Sequence, residues 1–552
     1  MGRMLRRVLL QVLLFAGIGV NVAFLLINAS PERPHLGRKR AFKVLLRVSP
    51  DEAAWVRDNE IAEFSATHDL DISVETAPTY EAVLERLKTE AAHPTDLLLA
   101  DLNDELADDA IRAGALRPII DGATADRLEA VNRDYLPEGL KRAHVGTEKL
   151  WALPARSEID TVVYFRPAVE DAYLHWEQDR ERIDATIKAI NGVGLPTGYH
   201  LKRMPDHWDS FDLFVASWYW SHHPAPWADG EGGADGGVPQ PRVAIRTGPS
   251  DEALRDLLTS FYLQGVADAD IAAGKVDVPS VIDALQWQAL WRREGVAVRG
   301  QKGVGVTAEE VYELLKKREL AWAPLSVEQS FLLHGGARAG APPGIDRPSD
   351  LGWSVMPKGV SMELKNGKPA RSGHTFSFHE ISFWVAPKNT PDIQVAFQLA
   401  RFMTQPGIQQ REAEALGRLP VRVTVRDNYP ILFRLPWMQN IFDACFQQLD
   451  LGSGDIPDQV ADQHLDERYR ELRRRVVFRQ PPDSSLSFDT IQALVRQPPP
   501  PPDLNPAPTT PTPTTPTTPT APTGSTSPTT PTITQTSGPT SPPSQPEDHR
   551  AH

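Results

Sequence analysis

The chain has only one cysteine, Cys445, in 552 residues. An intramolecular disulfide is therefore impossible. The surrounding Ile441-Phe442-Asp443-Ala444-Cys445-Phe446 is apolar, which favours a buried, inert thiol over a nucleophile. No Gly-x-Ser-x-Gly and no phosphate-binding P-loop occurs. His379-Glu380-Ile381-Ser382-Phe383 opens like a zinc-protease helix, but it lacks the second histidine and lies in a strand-like stretch. His222 and His223 are adjacent, so on a helix they do not face one site, and no third ligand lies nearby. We read the chain as no enzyme, with no cofactor and no metal.

Positive charge is also short. Lys and Arg number 58 against 72 Asp and Glu, a formal net charge of −14. Basic side chains gather before residue 41, so the body is more acidic still. Nucleic-acid binding needs phosphate neutralisation and is not expected. The cluster Arg468, Arg470, Arg473, Arg474 and Arg475 alternates with Glu467 and Glu471, which reads as an ion-paired helix face.

The ends differ from the body. Arg3, Arg6 and Arg7 precede an uncharged run from Val8 to Asn28, about the 20 residues needed to cross a bilayer. Ile27-Asn28-Ala29 puts a bulky residue where a cleavage site needs a small one, so residues 1–40 read as an uncleaved signal-anchor and linker, single-pass, with the main domain extracytoplasmic. At the other end, 498–552 is rich in proline and threonine and cannot bury a core; it reads as a disordered tail, either a glycosylated or wall-spanning spacer or an inert appendage.

Between them, strand and helix signals alternate. Ala41–Val48, Leu70–Glu75 and Asp96–Ala100 read as strands; Asp51–His68, Tyr80–Ala91 and Ala107–Ala113 read as helices. That alternation predicts an α/β fold with parallel strands, whose ligands gather at strand carboxyl ends, here Ser49–Asp51 and Asp101–Asn103. Two strand-like pieces follow in Lys149–Phe165, then a charged, low-signal stretch at 177–202, a helix at Trp208–Trp218 and a Gly-rich loop at 229–241. Pro391–Thr404 and Ile408–Leu416 read as helices separated by Pro406-Gly407, the second closed by Gly417 and kept closed by Pro420.

Ordered along the chain stand Asp96-Leu-Leu-Leu-Ala, Ala113-Gly-Ala-Leu-Arg-Pro-Ile, Lys149-Leu-Trp-Ala-Leu-Pro with Val163-Tyr-Phe, and Met204-Pro-Asp-His-Trp-Asp-Ser-Phe. Ala321-Trp-Ala-Pro, Leu351-Gly-Trp-Ser-Val-Met-Pro-Lys-Gly, Phe383-Trp-Val-Ala-Pro-Lys-Asn and Leu416-Gly-Arg-Leu-Pro-Val-Arg complete the series. This order resembles the extracellular solute-binding proteins of the maltose-binding-like family 1, which serve ABC importers. The resemblance implies a two-lobed, type II periplasmic-binding-protein (Venus-flytrap) fold that closes on a ligand by hinge motion. Lobe 1 would comprise 41–154 and the return 351–450, lobe 2 would comprise 155–350 with insertions at 177–202 and 229–241, and 451–497 would be a helical extension. The chain departs from the family pattern in its lack of a lipid-anchor cysteine, its expected membrane span and its Thr/Pro tail. The paired tyrosines of a ferric-ion-capturing branch are also absent.

The resemblance also implies a cleft lined by strand ends and hinge-side loops. Its candidate residues are Asp51, Trp55, Asp101, Asn103, Arg156, Trp218, Tyr219, Trp322, Trp353, Phe378, His379 and Glu380. The chain holds 13 tryptophans, whose faces suit sugar C–H groups, while carboxylates and amides bind hydroxyls. For Trp208 and Trp218, however, helical spacing favours a place in the core. The expected protein is a membrane-anchored, extracytoplasmic receptor for a small ligand, a carbohydrate first, with ABC permease subunits as partners. The alternative is an envelope sensory or interaction protein that keeps the fold without transport.

Overall fold

The computed structural model describes residues 40–121, 131, 133–135, 149–225, 227, 239–246, 251–298, 306–335, 344–454, 467–478 and 485–497. The chain divides into two units, Met1–Gln497 and Pro498–His552, and every described residue lies in the first.

Arg40–Leu46 pairs in parallel with both Leu70–Thr76 and Leu97–Asn103. A rod from Pro50 to His68, α-helical with a π-turn at Arg57–Ile61, joins the first two strands, and helix Tyr80–Ala92 joins the second to the third. Ser49 starts the rod with a capping box closed by Glu52, and Thr79 caps the second helix. Leu97, Leu98, Leu99 and Ala100 have no exposed surface, the mark of a strand covered on both faces. The central sheet runs Leu70–Thr76, Arg40–Leu46, Leu97–Asn103, Ser377–Pro387, Ala152–Phe165, Trp322–Ser326.

The buried apolar side chains form two cores. One gathers Phe42, Leu99, Leu153, Phe383 and Leu399. The other gathers Val163, Phe214, Leu257, Leu285, Trp322 and Phe442. Two long antiparallel strands run through both. Ala152–Phe165 gives Ala152, Leu153 and Ala155 to the first core and Ile159, Val162, Val163 and Phe165 to the second. Ser377–Pro387 gives Phe378 to the second core and Ile381, Phe383, Val385 and Ala386 to the first. Where they pass between cores, both strands turn polar, at Arg156-Ser157-Glu158 and at His379-Glu380.

Helix Pro406–Leu416 ends at Gly417 with φ 68°, a left-handed position that favours glycine. A Cβ there would stand 2.5 Å from the Cβ of Phe331. The charged stretch at 177–202 forms helix Arg180–Asn191, anchored on the second core by Ile183, Ile187 and Ile190. Helices Glu467–Arg473 and Phe488–Arg496 also close on that core through Tyr469, Leu472, Ile491 and Val495. Cys445 is buried within helix Pro436–Leu451, and burial pushes its thiol up to about 12.

The expectation of a membrane-spanning helix is corrected. No described helix is long and apolar enough to cross a membrane. Helix Pro436–Leu451 has 16 residues and carries Asp443 and Asp450, and at 1.5 Å per residue it reaches about 24 Å, short of the ~30 Å hydrocarbon layer. The rod Pro50–His68 carries Asp51, Glu52, Arg57, Asp58, Glu60 and Glu63. The span read at Val8–Asn28 lies outside the described residues, as do the tail 498–552 and most of the Gly-rich loop. The membrane anchor, the membrane as partner and the single-pass location rested on that helix and are corrected with it.

Candidate ligand-binding cleft

The crossing is built around Arg156. Its guanidinium donates to Ser382 Oγ (3.1 Å), to the Arg47 carbonyl (3.2 Å), to the Tyr80 hydroxyl (3.0 Å) and to Asp101. Arg156 and Asp101 are 8% and 2% exposed, so the pair is desolvated and depends on this full set of partners. Asp101 and Arg156 also line a small void with Glu412 and Arg418. Arg418 in turn pairs with Glu412 at 2.5 Å and Glu52 at 3.5 Å. Ser157 Oγ and His379 Nε2 hydrogen bond at 2.6 Å across the two strands. Both residues are buried and neither lines the main cavity, so this pair braces the crossing rather than exposing a nucleophile.

A cavity of about 420 Å³ opens beside the crossing. Arg47, at the end of the first strand, contributes from the first core's side. Glu158, Asp160 and Glu380 contribute from the crossing strands. Arg246, Arg255, Ser326, Glu328 and Gln329 contribute from the second core's side. A narrower, more apolar cavity of about 70 Å³, lined by Trp291, Trp322, Met356 and Phe378, shares Asp160, Arg246, Arg255 and Phe378 with it. The pair forms one charged cleft with an apolar alcove, the usual make-up of a small-molecule site.

The charges in the cleft have distinct settings. Glu158 and Glu380 sit directly opposite each other in the strand register. Burial first, and then the facing Glu380, push the Glu158 carboxyl up to about 7. Arg246 is held by Asp256 through two guanidinium bonds of 3.0 and 2.6 Å and a backbone bond of 2.8 Å. The Arg255 guanidinium lies over the Phe378 ring at 5.4 Å, and its Nε meets no acceptor. The Arg47 guanidinium lies over the Tyr80 ring at 5.2 Å.

The structure brings Phe378 and Glu380 to the main cavity and Trp322 to the alcove. Arg156, Asp101 and His379 stand in the crossing, bound to protein groups. Asn103 caps helix Asp104–Arg112 through the Leu106 amide. Asp51 lies exposed in the first turn of the rod, and Trp55 packs against the first core. Trp218 stacks on His222 at 3.8 Å, Tyr219 stacks on His223 and donates to Asp171, and Trp353 packs near His334; all three belong to the second core. Sequence reasoning did not single out Arg47, Glu158, Asp160, Arg246, Arg255 or Glu328. Glu158 and Asp160 did carry a signal, as acidic residues in the polar break of a strand that is apolar at both ends. Arg246 and Arg255 are drawn together only by the fold.

No family model matches the chain, and no curated protein does. Solved structures do. The GacH receptor of Streptomyces glaucescens, solved unliganded and with acarbose, is 15% identical over 83% of this chain and 97% of its own, with a TM-score of 0.54. Maltose-bound MalE3 of T. maritima is 15% identical over 82% of this chain and 98% of its own, with a TM-score of 0.54. The cyclic α-maltosyl-1,6-maltose binding protein of Arthrobacter globiformis is 13% identical over 83% of this chain and 98% of its own, again with a TM-score of 0.54. The chain thus shares the two-lobed α/β fold of these structures, which are those of a receptor and of sugar-binding proteins.

Proposed function

We propose that the protein is a solute-binding protein that captures a carbohydrate in the cleft between its two lobes for ABC-type import. The observation that carries this reading is the cavity of about 420 Å³ at the crossing of the two strands that share both cores. Lobes joined by such strands can rotate about the crossing and shut water out of the cleft, the hinge closure common to two-domain binding proteins. Polar side chains on three sides suit a hydroxyl-rich body, and the alcove with Trp291, Trp322 and Phe378 offers apolar and aromatic surface for its ring faces. Thermal melting of the full chain with mono- to tetrasaccharides tests the reading, because a ligand that binds only the folded state raises Tm. An upward shift that Arg255→Met removes, with the unliganded Tm kept, supports it; no shift with any sugar overturns it. Crosslinking followed by recovery of permease subunits tests delivery to an importer.

A further inference from the structure

We infer that the ligand of this cleft carries a positive charge, an amine on a hydroxyl-rich body, seated between Glu158 and Glu380; this deepens the carbohydrate reading above and rests on it. The cleft has a surplus of carboxylates. Glu158, Asp160, Glu309, Glu328 and Glu380 line it, against Arg47, Arg246 and Arg255. Arg246 is already engaged by Asp256, and the other two guanidiniums lie over aromatic rings.

Glu158 and Glu380 are the centre of that surplus. They face each other across the crossing, and among the described residues neither side chain has a hydrogen-bonded or ion-paired partner. Around Glu158 stand Glu380 and Glu328, which disfavour its charge, and Arg156 and Arg47, which favour it. Arg156 is spent on Asp101, Tyr80, Ser382 and a carbonyl. Without a cation between them the two facing groups cannot both carry charge, and Glu158 keeps its proton; a ligand ammonium seated there lets both ionise and pairs with both. The alcove accounts for the rest of the ligand. The Trp322 side chain is 2% exposed and its indole N–H meets no acceptor, so an acceptor oxygen on the ligand body would complete it.

Calorimetric titration of the full chain at about pH 6.5, below the pKa of about 7.7–8.0 of an α-amino group, separates the possibilities. The probes are the glucosamine trimer, the N-acetylglucosamine trimer, maltotriose and spermidine. The expected result is a glucosamine trimer bound at least about tenfold more tightly than either neutral trimer, with that advantage cut to under about threefold in Glu380→Gln. Glu158→Gln serves as the second variant should Glu380→Gln lower Tm. Neutral trimers that bind as tightly as the amine, with no loss in either variant, overturn the inference and leave the carbohydrate reading intact. Spermidine binding that either variant weakens, with no sugar bound, upholds the cation but overturns the sugar body. No binding by any probe overturns both.

Discussion

Glu158 and Glu380 stand opposite each other on the two antiparallel strands that join the cores. This pairing gives the crossing a titratable centre. A carboxyl whose folded pKa is raised keeps its proton at pH values where the unfolded chain has lost it, so folding takes up a proton. For Glu158, raised from the ordinary 4.5 to about 7, the stabilisation is complete below about 4.5 and is lost as pH rises through about 7. Wild-type Tm, followed between these limits, should therefore fall more with rising pH than that of Glu158→Gln. Equal slopes for the two proteins would refute the assignment.

Arg156 should be the costliest single residue of the crossing to remove. Arg156→Met leaves Asp101 buried without its cation, and breaking a buried pair from one side costs about 3–5 kcal/mol. The double variant Arg156→Met with Asp101→Leu should recover more than half of the loss, because no charge is then left stranded. Urea unfolding of the three proteins measures both numbers.

Two tryptophans with similar sequence signals should behave differently. Trp322 lines the alcove, whereas Trp353 lines neither cavity. Trp322→Phe should lose much of any ligand-induced fluorescence change. Trp353→Ala should lower stability by about 3–5 kcal/mol, as large-to-small core substitutions do, and leave affinity unchanged in the folded fraction. A folded Trp353→Ala protein with weakened binding would place Trp353 at the ligand instead.

Gly417 should not tolerate a methyl group. Its φ of 68° costs an alanine about 1 kcal/mol, and the added Cβ would meet Phe331 at 2.5 Å. Gly417→Ala should therefore lose more than about 1 kcal/mol, while Gly407→Ala, where nothing lies within 4 Å of the new atom, should cost less. Chemical denaturation of the two variants makes the comparison.

Much of the architecture could be read along the chain because it depends on neighbours in sequence. Leu97–Ala100 is apolar at every position and becomes a fully buried strand; Ser49 with Glu52 starts a helix, and Gly417 ends one. Alternation of such elements implied a parallel α/β sheet, and the ordered motifs implied two lobes. The boundaries shifted where packing overrode local pattern. Trp208 lies outside the helix it was expected to open, its indole donating to the Lys202 carbonyl at 2.7 Å, and the low-signal stretch 177–202 holds helix Arg180–Asn191 because Ile183, Ile187 and Ile190 reach the second core.

The cleft was less legible. Aromatic content pointed to tryptophans, yet Trp218 and Trp353 went into the second core, and Asp101 and Arg156 paired with each other. The partners that line the cavity come from Arg47, Glu158, Arg255, Glu328 and Glu380, positions spread from the first strand to the second crossing strand. Helix and strand periodicity act over a few residues, and so they reveal which face of an element is apolar. Whether a charge on the other face is paired, spent on a hinge or left free for a ligand depends on which distant segment lies opposite it. That was decided only when the two crossing strands aligned Glu158 with Glu380 and set Arg156 against Asp101.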